Sequence, residues 1–321
     1  MRAIVETGAR LHLGFLDLNG ESGRRYGSIG VTLERPRCVV EAGPAALGTP
    51  PLEPEVAAIL TRLDLGRGPG AIAVRVAEAI PPHAGFGSGT QLALSVALAA
   101  SRAAGRSASI RDLAQELGRG RRSGIGIAAF ERGGLVIDAG HRVDDADPAG
   151  LDAEEPPPVI FQHPLPDDWH FVLATPRAAP GLSGTAERQA FRGLPPMAAE
   201  RVGRICRLAL IQVAPAALTG DIRTFGAAIT EIQVIVGEYF APHQGGRFAT
   251  QAGCEVTEHA LARGAHGVGQ SSWGPTVFAL TEGEKTALAL AASIRTTFGH
   301  RLARVELSRA RNRGASCDLA P

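Results

Sequence analysis

Three glycines at alternate positions, Gly85, Gly87 and Gly89, separate a segment that ends at two prolines from a long stretch rich in alanine and leucine. Alternate glycines let successive backbone N–H groups point into one concavity, because no Cβ atom obstructs the approach. A helix that begins at Ser88 adds its free N–H groups and the positive end of its dipole. The loop therefore suits a phosphate or diphosphate, although the same residues also fit an ordinary turn with Ser88 as the helix N-cap.

The sequence around these glycines does not fit two common nucleotide-binding loops. A Walker A loop requires a following Gly-Lys-Ser/Thr, which is missing, and the glycine spacing differs from the dinucleotide-binding fingerprint. A second glycine-rich stretch, residues 267–276, leads into a predicted strand. Two loops that allow close backbone approach therefore stand in different halves of the chain.

The opening segment adds side chains that bind anions or move protons. Arg10 and His12 are two positions apart on a predicted strand, so alternation places both side chains on one face. Arginine offers a planar fork to phosphate or carboxylate, and histidine can donate to a phosphate oxygen or transfer a proton. The alternatives are a surface arginine and a structural histidine. Asp17 suits a magnesium ion or an arginine partner, and equally the capping of the turn at residues 19–20.

The elements predicted around these segments form two α+β halves. Strands are predicted at residues 3–7, 10–15, 29–33, 37–41, 71–76, 169–175, 276–280 and 302–307. Helices are predicted at residues 53–65, 88–104, 110–117, 125–131, 196–218, 221–236, 248–263 and 282–298. In the second half, two strands around a turn with helices before and after predict a ferredoxin-like α+β sandwich.

The boundary between the halves is predicted from composition. Residues 144–168 are acidic and proline-rich, as expected of a solvated connection, and this gives domains 1–160 and 161–321. Residues 308–321 are predicted to be a frayed tail.

Length and composition limit the class of protein. The chain has 321 residues, 45% hydrophobic and 20% charged, enough to bury the cores of two domains. The formal net charge of +1 gives no electrostatic case for nucleic acid or a membrane surface as a partner. The four cysteines are far apart, which favours a reducing cytoplasm, and no apolar run approaches the roughly 20 residues of a membrane helix. We therefore expect a cytoplasmic protein.

The three segments together resemble the GHMP kinase superfamily in order and spacing. Members of that superfamily have an opening Gly-x-Arg segment, a central glycine-rich phosphate loop and a late glycine-rich loop that ends in Gly-Pro-Thr. The corresponding segments here are residues 8–17, 82–91 and 267–276, so the resemblance spans nearly the whole chain. It implies an α+β, GHMP-kinase-like two-domain fold with the active site in the cleft between the domains.

Two departures from the kinases bear on the reaction. Their central loop has a second serine that is commonly a magnesium ligand, and here that position is Gly89, followed by Thr90. Mevalonate-kinase-like members place an aspartate beside the attacking hydroxyl, and the matching position is Gly126. Phosphoryl transfer depends on positioning and metal-assisted charge stabilisation, so both losses weaken the kinase interpretation. An ATP-dependent small-molecule kinase remains an alternative, and a non-catalytic phosphate-binding scaffold is a third.

A closer resemblance accounts for these departures. The β-ribofuranosylaminobenzene 5′-phosphate synthase family is similar to this chain at residues 10–18, 25–31, 85–91, 181–187, 244–246 and 269–276. That family keeps the kinase scaffold but joins phosphoribosyl diphosphate to 4-aminobenzoate, releasing CO2 and diphosphate, in tetrahydromethanopterin biosynthesis. The resemblance implies these two small molecules as substrates, Mg2+ as cofactor and a homodimer as the assembly.

The resemblance also indicates the site residues. The catalytic candidates are Arg10, His12 and Asp17. The candidates for substrate or phosphate binding are Arg25, Gly85, Gly87, Ser88, Gly89, Thr90, Gln244, Gly245, Gly246, Gly269, Ser271, Ser272, Trp273 and Gly274. Three of these assignments have structural alternatives. Arg25 could form a solvated pair with Arg24, residues 244–247 could be a helix-linking turn, and Trp273 could pack in the core rather than cover the arene.

Overall fold

The computed structural model describes residues 1–45, 52–66, 71–121, 123–143, 155–177, 181 and 184–320. The strands are β1 Arg2–Asp17, β2 Arg24–Pro44, β3 Ile72–Glu78, β4 Leu135–Asp138, β5 His141–Arg142, β6 Val159–His163, β7 Trp169–Pro176, β8 Gly267–Gln270, β9 Val277–Glu282, β10 Leu302–Arg309 and β11 Ser316–Ala320. The helices are α1 Pro54–Arg62, α2 Ser88–Ala103, α3 Ile110–Glu116, α4 Ile125–Glu131, α5 Gly184–Gly193, α6 Ala199–Leu208, α7 Ala214–Thr219, α8 Ile222–Gln244, α9 Gln251–Ala262 and α10 Glu284–Phe298. A π-helical turn joins α6 to α7, and a 3₁₀ turn precedes β10.

The first sheet is antiparallel and runs in the order β11-β1-β2-β4-β6, with β3 and β5 also paired to β2. Residues 3–15 form one continuous strand, not the two strands predicted on either side of Gly8. Register shifts after Gly8 and after His12 bend β1, so the strand absorbs its glycines as bulges. The central helix α2 packs on β1 and β2 and buries its alanines and leucines there.

The second sheet confirms the predicted ferredoxin-like topology. Its antiparallel order is β10-β7-β9-β8, so that the first and third strands of the domain lie in the middle. Helices α9 and α10 cover this sheet and bury a separate cluster of apolar side chains. The larger hydrophobic cluster extends through both halves, from Leu11 in β1 to Phe225 in α8 and Trp273 in the late glycine loop. The two halves therefore share a core.

Two segments near the predicted domain limits belong to the first sheet. The boundary at residue 160 falls inside β6, which pairs with β4. The tail predicted to fray instead forms β11, in which Ser316–Ala320 pairs with the start of β1. Hydrogen bonding to an existing sheet edge therefore orders a segment whose own composition gives no strand signal. Residues 144–154 of the predicted connection lie outside the described residues.

One helical segment corrects the expectation about apolar runs. Ala199–Thr219 is long and apolar enough to cross a membrane by length and composition alone. Core helices of soluble proteins meet the same criterion, and this segment packs against β1 and α8. Its apolar residues are therefore accounted for in part by the fold.

Candidate active site

The central glycine loop forms the N-terminus of α2, which begins at Ser88 as predicted. Gly87 is the N-cap residue and has a left-handed backbone with φ of 67°, and Gly85 also has a positive φ of 87°. Ser88 is therefore not the N-cap, and no side chain caps this helix. Ser88, Gly89 and Thr90 of the first turn, where a helix has unpaired N–H groups, line the cavity beside this loop.

Arg10 lies against this loop. Its backbone N–H donates to the carbonyl of Phe86 at 3.1 Å, and its Nη1 donates to the carbonyl of Gly85 at 3.3 Å. A Cβ atom on Gly87 would lie only 2.9 Å from both Cγ and Nε of Arg10. The absence of a side chain at Gly87 therefore leaves the space that the arginine occupies at the helix N-terminus.

Ser271 joins the late glycine loop to the central one. Its Oγ donates to the carbonyl of Gly85 at 2.6 Å and accepts the backbone N–H of His12 at 3.0 Å. A Cβ atom on Gly85 would clash with the carbonyl of Ser271. The structure thus gives Gly85 and Ser271 a role in holding the two loops and β1 together.

A cavity of about 640 Å³ opens between these loops, and we refer to it as the phosphate-loop cavity. This volume is within the range of small-molecule sites. Many of the predicted site residues line it, namely Arg10, Gly85, Gly87, Ser88, Gly89, Thr90, Ser272, Trp273 and Gly274. Segments from the beginning, middle and end of the chain therefore meet at one cavity, as the motif set predicted.

A second cavity of about 20 Å³ lies next to the first, with Ser272 lining both. We call it the aromatic cavity, because His12, Phe15 and Phe240 line it together with Gln244. The ring of His12 is 3% exposed and its centroid lies 4.4 Å from that of Phe15. Arg10 and His12 thus line different cavities, although alternation along the strand predicted that their side chains would share a face.

Trp273 packs in the core, which was the structural alternative, and covering of the arene by this residue stays a prediction. The indole is 4% exposed and packs 4.4 Å from the ring of Phe240 and 5.7 Å from that of Phe191, measured between centroids. It also lines the phosphate-loop cavity. Trp273 is therefore a core residue that reaches the cavity wall.

Several predicted site residues make structural contacts, and their catalytic or binding roles stay predictions. The carboxylate of Asp17 accepts the backbone N–H groups of Asn19 and Gly20 at 2.7 and 2.8 Å, and the hydroxyl of Ser22 at 3.1 Å. This is the turn-capping alternative, and it occupies the side chain proposed for catalysis. Gly269 packs so closely on Gln233 of α8 that a Cβ atom would clash.

The segment 244–246 is mainly the end of a helix. Gly245 is the left-handed C-cap of α8, with φ of 81°, and neither Gly245 nor Gly246 lines either cavity. The side chain of Gln244 does line the aromatic cavity, where its carbonyl oxygen accepts from Gln270 at 3.3 Å. The two glycines thus belong to the helix-linking turn, and Gln244 alone reaches a cavity, so its role in substrate binding stays a prediction.

The arginine pair at the start of β2 lies outside both cavities. Arg24 donates to the carbonyls of Ala139 and Gly140 at 2.8 and 2.6 Å, so it is not a solvated side chain. Arg25 pairs with His141 in the β ladder, and its guanidinium carbon lies 5.7 Å from the ring centroid of Tyr26. Binding of substrate by Arg25 therefore remains a prediction.

Two charged residues of the site were not among the predicted site residues, although Glu187 lies in a segment that carries the family resemblance. Arg119 and Glu187 both line the phosphate-loop cavity. Arg119 stands in a Gly-Arg-Gly-Arg-Arg run, which by itself indicates only a solvated basic turn. Glu187 belongs to α5, which the sequence pattern did not predict.

A third residue that the sequence did not point to, Asp138, lies outside the lining of both cavities and holds the start of α4. It is fully buried at the end of β4, where its carboxylate accepts the backbone N–H groups of Gly124 and Gly140, each at 2.9 Å. Burial raises the pKa of Asp138 to about 6, against the opposing effect of these hydrogen bonds. Gly124 is the N-cap of α4, so Asp138 fixes where α4 begins.

Helix α4 also explains the residue found at the position of the kinase aspartate. Gly126 lies against Thr90 in the first turn of α2, and a Cβ atom there would lie 3.1 Å from the Thr90 methyl group. The Gly126 carbonyl accepts from the buried amide of Gln91 at 2.8 Å. A side chain at position 126 would therefore require the side chain of Thr90 to shift by a few tenths of an ångström.

Comparison with known proteins agrees with this geometry. Residues 55–134 match the family described as GHMP kinases N terminal domain, and residues 213–300 match GHMP kinases C terminal. A homoserine kinase structure from Cytophaga hutchinsonii superposes with a TM-score of 0.67 at 18% identity, covering 99% of this chain and 97% of that one. The GHMP kinase fold is thus confirmed.

Similarity at the level of sequence is closer to synthases. A protein of Methanothermobacter thermautotrophicus named beta-ribofuranosylphenol 5'-phosphate synthase is 34% identical, with 97% of each chain covered. One of the same name from Archaeoglobus fulgidus is 33% identical, covering 98% of this chain and 99% of the relative. The protein is therefore an enzyme, and the chain belongs to the beta-ribofuranosylphenol 5'-phosphate synthase family, which has the GHMP kinase fold.

Proposed function

We propose that the protein is a decarboxylating phosphoribosyltransferase that joins phosphoribosyl diphosphate to 4-aminobenzoate. One bond forms, between the anomeric carbon of the ribose and the ring carbon that bears the carboxylate. Diphosphate leaves from the anomeric carbon with its bonding electron pair. The ring then loses CO2, and the electrons of that bond restore aromaticity, so the reaction needs no external acid or base to balance.

The observation that carries the proposal is the position of Arg10 beside the glycine loop in a cavity of about 640 Å³. A guanidinium and the first turn of a sixteen-residue helix favour a phosphate group there, since both direct N–H donors and positive charge at an anion. Full-length similarity to 5'-phosphate synthases supports a phosphorylated sugar as the ligand.

The aromatic cavity is the proposed position of the arene. Rings of Phe15 and Phe240 stack well against a benzene ring, and Ser272 connects this cavity to the phosphate-loop cavity. His12 is held by two backbone hydrogen bonds, its N–H to Ser271 and its carbonyl to the N–H of Ser272 at 3.4 Å. We assign His12 the placement of the arene next to the anomeric carbon.

Mg2+ is proposed to enter with the substrate. Among the described residues, no group of three or more His, Cys, Asp or Glu side chains is placed to hold a metal ion. Mg2+ binds a few oxygen ligands and retains several waters. Phosphate oxygens of the substrate can therefore supply the ligands that do not come from the protein. The enzyme then binds the magnesium complex of phosphoribosyl diphosphate, as a cytoplasmic homodimer that acts in tetrahydromethanopterin biosynthesis.

The test uses purified protein with phosphoribosyl diphosphate, Mg2+ and carboxyl-labelled 4-aminobenzoate. The proposal predicts labelled CO2 and diphosphate in equal amounts, and neither without phosphoribosyl diphosphate. No CO2 above a protein-free control, from protein shown to be folded, would rule it out. Consumption of ATP that depends on an added alcohol would instead favour a kinase.

The names of the relatives specify a phenol product, and this makes a second acceptor a candidate. 4-Hydroxybenzoate would give that product by the same bond changes, because the para substituent does not react. Its hydroxyl, like the amine, donates electrons to the ring. Comparing kcat/KM for the two acceptors with one enzyme preparation assigns the substrate, and the proposal expects the higher value for 4-aminobenzoate.

A further inference from the structure

Arg119 reaches the phosphate-loop cavity from the loop between α3 and α4. Its Nη1 lies 3.6 Å from the position that a Cβ atom on Gly89 would occupy. Arg10 stands in the same way beside Gly87, two residues earlier in the loop. Two guanidinium groups therefore border the first turn of α2, that of Arg10 in the space left by Gly87 and that of Arg119 within van der Waals range of Gly89.

The contacts of Arg119 within the described residues do not satisfy its donors. Its Nε is buried and has no hydrogen-bond partner among the groups that the structure describes. The nearest carboxylate oxygen, from Glu55, is 4.0 Å from Nη2, beyond hydrogen-bonding distance, and the side chain of Glu55 is 55% exposed. Burial also lowers the pKa of Arg119. The side chain of Arg119 is itself 32% exposed, so its guanidinium is only partly desolvated, and an incoming anion would supply the acceptor that the buried Nε lacks.

The balance of charge indicates which anion this is. The cavity also has three carboxylates in its lining, those of Glu53, Glu55 and Glu187. A monophosphate would meet these negative charges with little compensation. A diphosphate chelates Mg2+ through both of its phosphate groups, so it offers anionic oxygens to the two arginines and the water coordinated to Mg2+ to the carboxylates.

We propose that Arg119 binds the diphosphate of phosphoribosyl diphosphate together with Arg10. This rests on the proposed function and deepens it, because it orients the substrate. The diphosphate lies at the N-terminus of α2, and the anomeric carbon faces Ser272, the residue shared with the aromatic cavity. The leaving group then develops its charge beside two guanidiniums and a helix N-terminus, where that charge is stabilised.

The experiment measures binding of inorganic diphosphate with Mg2+ by calorimetry, and needs no turnover. Wild type is compared with Arg119→Gln and with Arg121→Gln, a control two residues away in the same loop that is exposed and does not line the cavity. We expect Arg119→Gln to weaken diphosphate binding at least about tenfold and Arg121→Gln to change it less than about twofold. Arg119→Lys keeps the positive charge but lacks the planar guanidinium, and its affinity for diphosphate should be several-fold weaker.

Two results would overturn the assignment. One is wild-type diphosphate affinity in folded Arg119→Gln, and the other is an equal loss in Arg121→Gln, which would indicate general charge attraction. If Arg119→Gln does not fold, wild-type affinity in Arg119→Lys has the same meaning. Labelled CO2 release by the wild type is measured separately, so failure of the proposed reaction is distinguishable from failure of the diphosphate site.

Discussion

The phosphate-loop cavity and the aromatic cavity differ in how much open volume they have in the absence of substrate. The first has a volume of about 640 Å³, whereas the second, at about 20 Å³, holds no more than about a water molecule or two. Ser272 lines both, so the two lie side by side. One half of the proposed site is therefore open, and the other is closed by its own side chains.

The difference follows from what each wall is made of. Five glycines, Gly85, Gly87, Gly89, Gly181 and Gly274, are among the residues that line the phosphate-loop cavity, and the bond from Ser271 to Gly85 holds its two loops in place. The aromatic cavity is bounded by rings that also pack on one another, such as Phe15 and Phe240 at 6.0 Å between centroids. Rings change rotamer more readily than a hydrogen-bonded backbone moves. We therefore expect phosphoribosyl diphosphate to bind first and the arene to displace these rings afterwards.

The largest expected effect concerns Asp138, which holds the start of α4. Through Gly126, this helix lies against Thr90 of the phosphate-loop cavity. Asp138→Asn replaces a carboxylate that accepts two backbone N–H groups with an amide that accepts one. We expect a loss of about 2 kcal/mol in the free energy of unfolding at about pH 7, measured by urea denaturation. The control, Asp112→Asn, changes an exposed residue of the α3 capping box and should cost less.

The same variant has a defined pH dependence. Because burial raises the pKa of Asp138 from its ordinary value of 3.8 to about 6, the folded protein binds a proton in that interval that the unfolded chain releases. The contribution of Asp138 to stability therefore falls as pH rises through this window. The stability difference between wild type and Asp138→Asn should be larger at about pH 4.5 than at about pH 7. A difference that is constant with pH would contradict this.

Gly87→Val tests the open half directly. Valine is strained at a φ of 67°, and its Cβ would press on the side chain of Arg10. We expect the KM for phosphoribosyl diphosphate to rise at least about tenfold, equal to about 1.4 kcal/mol, with a much smaller change for the arene.

The matched control is Gly105→Val, at a φ of 72° with no atom within 4 Å of the new Cβ. It imposes similar backbone strain away from the cavity and should reduce stability while leaving both KM values unchanged. Equal KM values in wild type and well-folded Gly87→Val would remove this loop from the active site.

Phe240→Leu tests the closed half and should have the smallest effect. It removes a ring that contacts Trp273 at 4.4 Å, and loss of one aromatic contact is worth about 1 kcal/mol, or about a fivefold rise in the KM for the arene. The KM for phosphoribosyl diphosphate should not change. Phe298→Leu, in the separate core cluster of the second domain, is the control for loss of stability alone. A rise in both KM values for Phe240→Leu would contradict the division between the cavities.

Features that depend on residues close together in the chain could be predicted from the sequence. The start of α2 at Ser88 was predictable, because glycines followed by an alanine-rich run mark a helix N-terminus without reference to the rest of the chain. The position of Arg10 at this loop followed from the order of motifs. The ferredoxin-like sheet was predictable for the same reason, since two strands around a turn stand between helices along the chain.

What escaped prediction depends on partners distant in sequence. Gly269 is required by Gln233 and Gly85 by Ser271, and neither pairing has a sequence signal. Arg119 could not be distinguished from its neighbours, because only the packing of the loop between α3 and α4 directs it into the cavity. Likewise, β11 is ordered by the edge of β1, which its own residues do not reveal.

The most direct test of the difference between the two cavities is calorimetric titration of each substrate into the free enzyme. The magnesium complex of phosphoribosyl diphosphate should bind without 4-aminobenzoate, because its cavity is already open. 4-Aminobenzoate should show no measurable binding to the free enzyme, and should bind once Mg2+ and inorganic diphosphate are present. Binding of 4-aminobenzoate to the free enzyme near its KM would contradict the account, since the aromatic cavity would then be accessible before the phosphate-loop cavity is filled.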